Sequence, residues 1–445
     1  MTFLRKKRLG FTMHKWFNRT PQARLLAGGF GLVILIGAIL LMLPISLMPG
    51  KQLNFLDALF EATSAVCVTG LTVVVPGQTF NLFGRFVLAI LIQIGGMGVV
   101  LLGILLIRVA GGKMGLKTRS LFVAAQNLTD YFDLQKLATI ILRITFTFEA
   151  IGAICLWFPL MRYFNPLQAF GHACFLSVSA FNNAGFDVFA GGDSLIPFAG
   201  DVAFCMTISI LVIIGSFGFL ALIDLWKKKF CWRKLSLTTK IAAFMTVFLL
   251  SAGTILLKFT TGQTWLEAWF QSVIARTAGF ASYPLSAFSN GALLVFIVLM
   301  FIGASPNSTG GGIKTTTAFV IGLKAISSST AHDEDSCFFR KVPNLVFTQA
   351  FTVLFYGLMV VFIATFLICV AESHLALSDV LTEVVSAFAT VGSSTGITAS
   401  LQPVSRVILI VVMFTGRLGP VTIANLLVTS RAHSASFTEE NVLIG

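Results

Sequence analysis

Charge is what this 445-residue sequence has least of: Asp, Glu, Lys and Arg together make up 11% of it. Soluble domains carry about a quarter charged residues, so a water-solvated globule is excluded. Histidine is also sparse. His14, His172, His332, His374 and His433 are too dispersed to form a ligand cluster. The seven cysteines lack CxxC or Cys/His ligand spacing and lie mostly in apolar segments, which makes them small core residues and gives no transition-metal site. No GxxxxGK[ST] sequence is present, and Gly95–Gly98 lies inside an apolar run rather than after a strand. No convergent His/Asp/Glu or Cys constellation points to an enzyme, and no organic cofactor is expected.

What is present is apolar. The hydrophobic fraction is 56% and the mean hydropathy is +0.90. Leu25–Leu43 and Leu345–Val370 have the roughly 20-residue length that spans a bilayer. The net charge of +13 does not read as a nucleic-acid surface, because no basic-aromatic domain carries it. It collects in Arg5–Arg24, Arg108–Arg119, Lys136–Arg143, Lys227–Lys240 and Lys324–Lys341. Alternating basic and non-basic connections follow the positive-inside rule, which places the basic ones and both termini in the cytoplasm. Basic residues lead straight into a full-length first span with no small-residue cleavage site, so the first helix reads as uncleaved.

The apolar runs repeat as long helix, short helix, glycine turn, long helix. The first repeat uses Arg24–Leu43, Asn54–Val66 and Gly84–Arg108; the second uses Ala138–Phe158, Pro166–Phe181 and Gly200–Leu225. The third uses Ile241–Lys258, Trp265–Ala275 and Asn290–Lys324; the fourth uses Leu345–Val370, Ser378–Phe388 and Pro403–Ser430. The expected fold is an all-α polytopic membrane protein of four linked helix–pore helix–helix repeats around one pore. Its divisions are a cytoplasmic segment 1–23, repeats at 24–112, 113–228, 229–328 and 329–432, and a cytoplasmic tail 433–445. The middle helices fall short of the about 17 residues a span requires, so they are re-entrant and must be buried or line water.

Each middle helix ends in a small-residue turn, and Gly70, Gly185, Gly279 and Gly392 recur at intervals of roughly a hundred residues. Four such turns can close a ring. A helix aiming its C-terminus at the axis brings about half a negative charge there, and glycine lets successive carbonyls face inward. Rings of backbone carbonyls replace the hydration shell of a cation. The candidate ring is Val68-Thr69-Gly70, Asn183-Ala184-Gly185, Thr277-Ala278-Gly279 and Thr390-Val391-Gly392, with Thr69, Asn183, Thr277 and Thr390 expected to brace the carbonyls. Asp57, Glu61, Asp187, Asp193, Asp379 and Glu383 are candidates for an acidic outer mouth. Arg276 should lie behind the ring, bonded to carbonyls or to a carboxylate.

Each final helix also carries a small cluster: Gly95–Gly98, Gly215–Gly218, Gly303–Pro306 and Gly416–Gly419. Two places break the four-fold pattern. Ser305-Pro306-Asn307-Ser308-Thr309-Gly310-Gly311-Gly312 cannot stay helical, so it should line the path below the ring, with Lys314 helping to hold it. Arg417 stands where the other repeats carry Gly96, Ser216 and Ala304, and an arginine inside a span is functional by default.

The residues Gln93–Gly98, Ser179–Phe186, Arg276–Phe280, Ser308–Lys314 and Gly416–Pro420 together resemble the Trk/Ktr/HKT superfamily of potassium transporters, in its bacterial Ktr membrane-subunit branch. The resemblance covers nearly the whole chain. It implies that the four turns form one K⁺ filter, that glycine rather than serine at Gly70 favours K⁺ over Na⁺, and that Na⁺ activates transport. It also implies a gate made by Ser305, Asn307, Ser308, Thr309, Gly310, Gly311, Gly312, Lys314 and Arg417. The implied partners are a second copy in a homodimer and a cytosolic RCK-type nucleotide-binding ring, and the implied location is the bacterial inner membrane, with lipid around the spans. The apolar tail Asn441–Gly445 is expected at one of those interfaces. A Na⁺-selective or poorly selective member of the superfamily, and a secondary transporter with a broken-helix site, are the alternatives.

Overall fold

A computed structural model describes residues 22–98, 101, 134–329, 336–419 and 422–423. The N-terminal basic stretch, the far half of the first repeat's final helix, Pro420 and the C-terminal tail lie outside the described residues.

Each repeat opens on a long apolar helix. These are α1 (Gln22–Met42), α4 (Leu134–Leu160), α8 (Leu237–Thr261) and α12 (Asn344–Ala371). All four are long and apolar enough to cross a membrane. Their outward faces leave large hydrophobics uncovered, among them Val247 at 69% and Phe362 at 70% exposure, as lipid contact requires. Inward, each presents a glycine to its own repeat. A Cβ on Gly37 would lie 2.8 Å from Leu91, on Gly152 2.5 Å from Ser177 Oγ, and on Gly357 3.1 Å from the Phe388 ring; Gly253 sits equally close to Ser272. Small residues at these crossings let the helices meet closely where no water drives association.

The short helices are α2 (Phe55–Cys67), α5 (Pro166–Phe181), α9 (Trp265–Thr277) and α13 (Leu377–Ala389). Their starts are written locally. The Asn54 side chain accepts from Asp57 N at 2.8 Å, Pro166 occupies the first turn of α5, and Thr264 with Glu267 forms a capping box on α9. Caps of this kind are worth about 1 kcal/mol each. The inner halves of α2, α9 and α13 are buried throughout, and that of α5 is buried except for the half-buried Cys174 and Val178.

The final helices correct the expectation of continuous spans. α3 (Leu82–Met97), α6 (Val202–Phe217) and α14 (Pro403–Leu418) stop at Gly98, Gly218 and Gly419, whose φ,ψ pairs are 87,137, 98,130 and 87,138. That conformation is open essentially to glycine alone, so the last residue of each small cluster ends its helix. In the third repeat Pro306 holds the corresponding place, and α10 (Asn290–Phe301) has already ended before it. After Gly218 the chain resumes as α7 (Phe219–Lys227), turned by 92° from α6. α11 (Thr315–Ser329) follows the broken segment of the third repeat. A two-stranded hairpin, β1 (Ser336–Cys337) and β2 (Arg340–Lys341), precedes α12.

Candidate functional site

The four glycine turns meet. A Cβ built on Gly70 would strike the Ala184 carbonyl oxygen and lie 3.2 Å from Gly185 Cα; one on Gly185 would strike Ala278 O. On Gly279 it would strike Val391 O and lie 2.7 Å from Gly392 Cα, and on Gly392 it would strike Thr69 O and lie 2.9 Å from Gly70 Cα. The first turn thus touches the second, the second the third, the third the fourth, and the fourth the first. The carbonyl preceding each glycine belongs to a closed ring with no side chain between its members. The glycines have φ of 91°, 70°, 48° and 96°. A Cβ here would be strained by conformation and excluded by contact at once.

Three turns share one geometry. Val68, Asn183 and Thr390 take left-handed backbone at φ 58°, 59° and 51°. The next N–H then reaches back: Thr69 N donates to Ser64 O (2.8 Å), Ala184 N to Ser179 O (2.7 Å) and Val391 N to Ser386 O (2.9 Å). In the third repeat α9 runs on to Thr277, and Ala278 N and Gly279 N donate to Ile274 O at 3.0 and 3.3 Å. The register places Val68, not Thr69, beside Asn183, Thr277 and Thr390. The expected threonine braces are not formed, because the hydroxyls of Thr69, Thr277 and Thr390 are buried without partners. Serine does that work in two repeats: Gly70 N donates to Ser64 Oγ and Gly392 N to Ser386 Oγ, both at 3.0 Å. The shared Ser-Ala opening of three of the turns was the available signal for it.

Four of the six acidic candidates for the mouth, Asp57, Glu61, Asp187 and Glu383, are engaged rather than free. Glu61 and Glu383 are fully buried in α2 and α13. Glu61 Oε1 accepts from Val73 N (2.9 Å) and Val74 N (3.3 Å), and Glu383 Oε1 accepts from Thr398 Oγ1. Both brace the segment that follows a turn, an irregular stretch at Val73–Val74 and the short 3-10 helix that opens at Thr398. Asp57 pairs with Arg406 at 2.5 Å, and Asp187 Oδ1 accepts from Phe189 N at 3.2 Å. Asp193 is exposed. Arg276 is 2% exposed as expected, but among the described residues its Nε and Nη2 meet no acceptor, so the expected bonds to carbonyls or a carboxylate are not formed by those two atoms. The cysteine expectation holds for Cys67 and Cys205, which are buried, whereas Cys155 and Cys231 are exposed. Among the described residues no three His, Cys, Asp or Glu side chains are grouped to hold a metal.

Beneath the ring runs the broken segment of the third repeat. It leaves and rejoins the helical path through Gly303 N to Ile313 O (3.0 Å) and Thr315 N to Ala304 O (3.2 Å). Its outer side is stitched to the end of α6: Ser305 N donates to Ser216 O (3.0 Å), Thr309 N to Gly215 O (3.3 Å), and Phe219 N to Asn307 O (2.8 Å). Ser308 Oγ and Thr315 Oγ1 bond back to Ser305, and Lys314 Nζ donates to Gly310 O at 2.7 Å. Thr309 Oγ1 lies 2.8 Å from the Asn183 side-chain amide. A Cβ on Gly310 would meet Thr277 Cγ2 at 2.6 Å, and one on Gly311 would meet Thr390 Cγ2 at 2.9 Å. The run of small residues therefore lies flat against three turns in succession. Arg417 completes the circuit by donating to Thr309 O and to Gly95 O and Gly96 O of the first repeat. Loop and guanidinium together touch all four repeats below the carbonyl ring.

The chain as a whole is similar to known proteins. Residues 10–261 and 232–437 match the family described as "TrkH: Cation transport protein". The chain is 37% identical to "Ktr system potassium uptake protein B" of Vibrio alginolyticus, over 95% of each chain. It is 37% identical to the protein of that name from Bacillus subtilis (strain 168), covering 92% of this chain and 93% of that one. With "Potassium/sodium uptake protein NtpJ" of Enterococcus hirae it shares 33% identity over 96% of this chain and 98% of that one. Among solved structures, the potassium transporter TrkH from Vibrio parahaemolyticus superposes with a TM-score of 0.71 at 20% identity, covering 90% of this chain and 85% of that one. This chain belongs to the TrkH family of cation transport proteins, a family of ion transporters and not of enzymes.

Proposed function

We propose that this chain is the ion-translocating membrane subunit of a K⁺ uptake system. The observation that carries this reading is the closed ring of turns, in which Gly70, Gly185, Gly279 and Gly392 bring one carbonyl per repeat together with no intervening side chain. Four short helices point their C-termini at that ring, each adding about half a negative charge, so the site favours a cation and repels an anion. K⁺ then moves inward with the membrane potential, which supplies about 2.3 kcal/mol per charge per 100 mV. Val68–Gly70, Asn183–Gly185, Thr277–Gly279 and Thr390–Gly392 form the filter.

Ser305–Gly312, held by Lys314 and latched by Arg417, is the gate. A cation leaving the filter meets a positive guanidinium and a packed loop, so conduction requires the loop to move. No nucleotide motif is present in this sequence, so the signal that moves it comes from a separate cytosolic ring of RCK type. Two copies of this chain form the pore unit, both termini face the cytoplasm of a bacterial inner membrane, and Na⁺ activates transport. The word "system" in the names of the Ktr relatives supports an assembly of more than one subunit.

The test is K⁺ uptake in a K⁺-transport-deficient bacterium, with and without Na⁺ and a cytosolic ring partner. Uptake dependent on this chain, raised by the partner and by Na⁺, is expected. Growth without K⁺ accumulation would overturn the reading. The name of the Enterococcus relative, a potassium/sodium uptake protein, favours one second reading, a cation transporter that discriminates poorly between the two ions. Competing K⁺ and Na⁺ fluxes in the same cells separate them.

A further inference from the structure

Away from the pore, one surface combines features that neither conduction nor gating uses. α7 leaves α6 at 92° and so lies along the bilayer plane when α6 is upright. It buries Phe219, Ala221 and Ile223 inward and leaves Trp226 74% exposed. Lys227, Lys228 and Lys229 follow at once, then Phe230 (70% exposed), Trp232 (46%) and Arg233. An in-plane amphipathic helix ending in aromatics and lysines has the make-up of an interfacial segment.

The β1–β2 hairpin packs beside it. Phe338 meets Trp232 at 5.9 Å and Phe244 at 6.3 Å between ring centroids, and Phe244 stacks on Phe248 at 6.1 Å. Phe244 and Phe248 are half exposed on the outward face of α8. An aromatic stripe thus runs without a gap from the lipid-facing side of a span to the basic loop.

The backbone at both tips is unusual. Phe338 and Phe339 occupy the two-residue hairpin turn at φ 50° and 62°, positions that ordinarily take Asn-Gly. Phe339 is fully exposed. Lys229 and Phe230 likewise take φ of 49° and 57°. Residues that resist left-handed backbone are held there with their apolar side chains uncovered, and such outliers cluster where something binds. The loop is also fixed in place. Asp224 accepts from Ser236 N (2.9 Å) and Thr239 Oγ1 (2.8 Å) and pairs with Lys228 (2.6 Å), which leaves Lys227, Lys229 and Arg233 unengaged by it.

We propose that this surface binds anionic phospholipid in the leaflet it faces. Phe230, Phe339 and Trp226 enter the boundary between headgroups and acyl chains, while Lys227, Lys229 and Arg233 engage the lipid phosphates. The aromatic stripe continuous with the α8 lipid face favours lipid over a cytosolic protein as the occupant. The inference rests on the membrane reading above, with the basic connections at the cytoplasmic leaflet, but not on the ion carried.

The experiment uses the full-length chain in nanodiscs of equimolar phosphatidylglycerol and phosphatidylcholine, with retained lipid counted by native mass spectrometry. The wild-type chain is expected to retain excess phosphatidylglycerol. Each cation near an anionic surface raises affinity roughly five-fold, so K227Q/K229Q/R233Q is expected to weaken that retention ten-fold or more. F230S/F339S should reduce it with all charges in place. The exposed Lys51, changed to Gln, should leave it unaltered. Equal retention of the two lipids by the wild-type chain, or an undiminished phosphatidylglycerol excess in the triple variant, would overturn the proposal; the second result is expected if a cytosolic protein covers this surface. K⁺ uptake measured on the same variants reports separately on the transport reading.

Discussion

Replacing Gly70 with serine puts the carbonyl ring under direct load. Gly70 has φ of 91°, a region that costs a residue with a Cβ about 1–3 kcal/mol. The new Cβ also has nowhere to go, because it would strike Ala184 O and sit 3.2 Å from Gly185 Cα, both backbone atoms of the neighbouring turn. Relief requires the first and second turns to separate, and the ring transmits that movement through Gly392 and Gly185. If only about 1.4 kcal/mol of the strain is released by displacing carbonyls from K⁺, discrimination between K⁺ and Na⁺ falls ten-fold. A loss of that size or greater is expected in competing K⁺ and Na⁺ flux measurements on cells expressing Gly70→Ser. Gly50→Ser is the control for strain alone. Gly50 has φ of 77°, but a Cβ there would meet nothing within 4 Å, so stability should fall while selectivity stays. Unchanged selectivity in Gly70→Ser would refute the assignment of the ring as the filter.

Three further outcomes follow from the same contacts. Deleting residues within Asn307–Gly312 removes the loop under the ring and should raise K⁺ flux without any partner, as should Arg417→Gln, which cannot reach both Thr309 and the first repeat as a forked cation; a dead or unaffected transporter in both cases would refute the gate. Ser64→Ala and Ser386→Ala each remove one hydrogen bond to a ring glycine, worth about 1 kcal/mol, and the double variant should melt several degrees lower and lose selectivity gradually; an unchanged melting temperature would refute the bracing role. Glu61→Gln keeps an acceptor for Val73 N and Val74 N, whereas Glu61→Leu leaves the buried Val73 N–H unpaired at about 1–3 kcal/mol and removes the acceptor of the partly buried Val74 N–H, so the leucine variant should be the less stable in a thermal shift assay.

Sequence reasoning reached far here because a membrane chain has few options. The spans follow from the length of apolar runs, and the short helices from their shortness together with caps such as Asn54 and Thr264. It failed where the question was which atom meets which. Glu61 and Glu383 look like surface acids in a polar-poor chain, yet each is buried as a strut for the segment after its turn. The threonines of the turns look like natural braces, yet the turn geometry directs Ser64 and Ser386 to the glycine N–H groups instead. Gly98, Gly218 and Gly419 look like packing glycines inside continuous spans, but their dihedral angles end the helices.

Composition and periodicity by themselves determined that this chain crosses a membrane, that it is built of four like units, and that a glycine-containing turn follows each short helix. Those properties are local, set by apolar length, capping and the steric freedom of one residue type. Only the tertiary structure decided that the carbonyl before each glycine abuts the next repeat's turn, and that Arg417 and the Ser305–Gly312 loop bridge all four repeats beneath them. Residues hundreds of positions apart are joined there by backbone contacts, and a sequence carries no record of which carbonyl a guanidinium will reach.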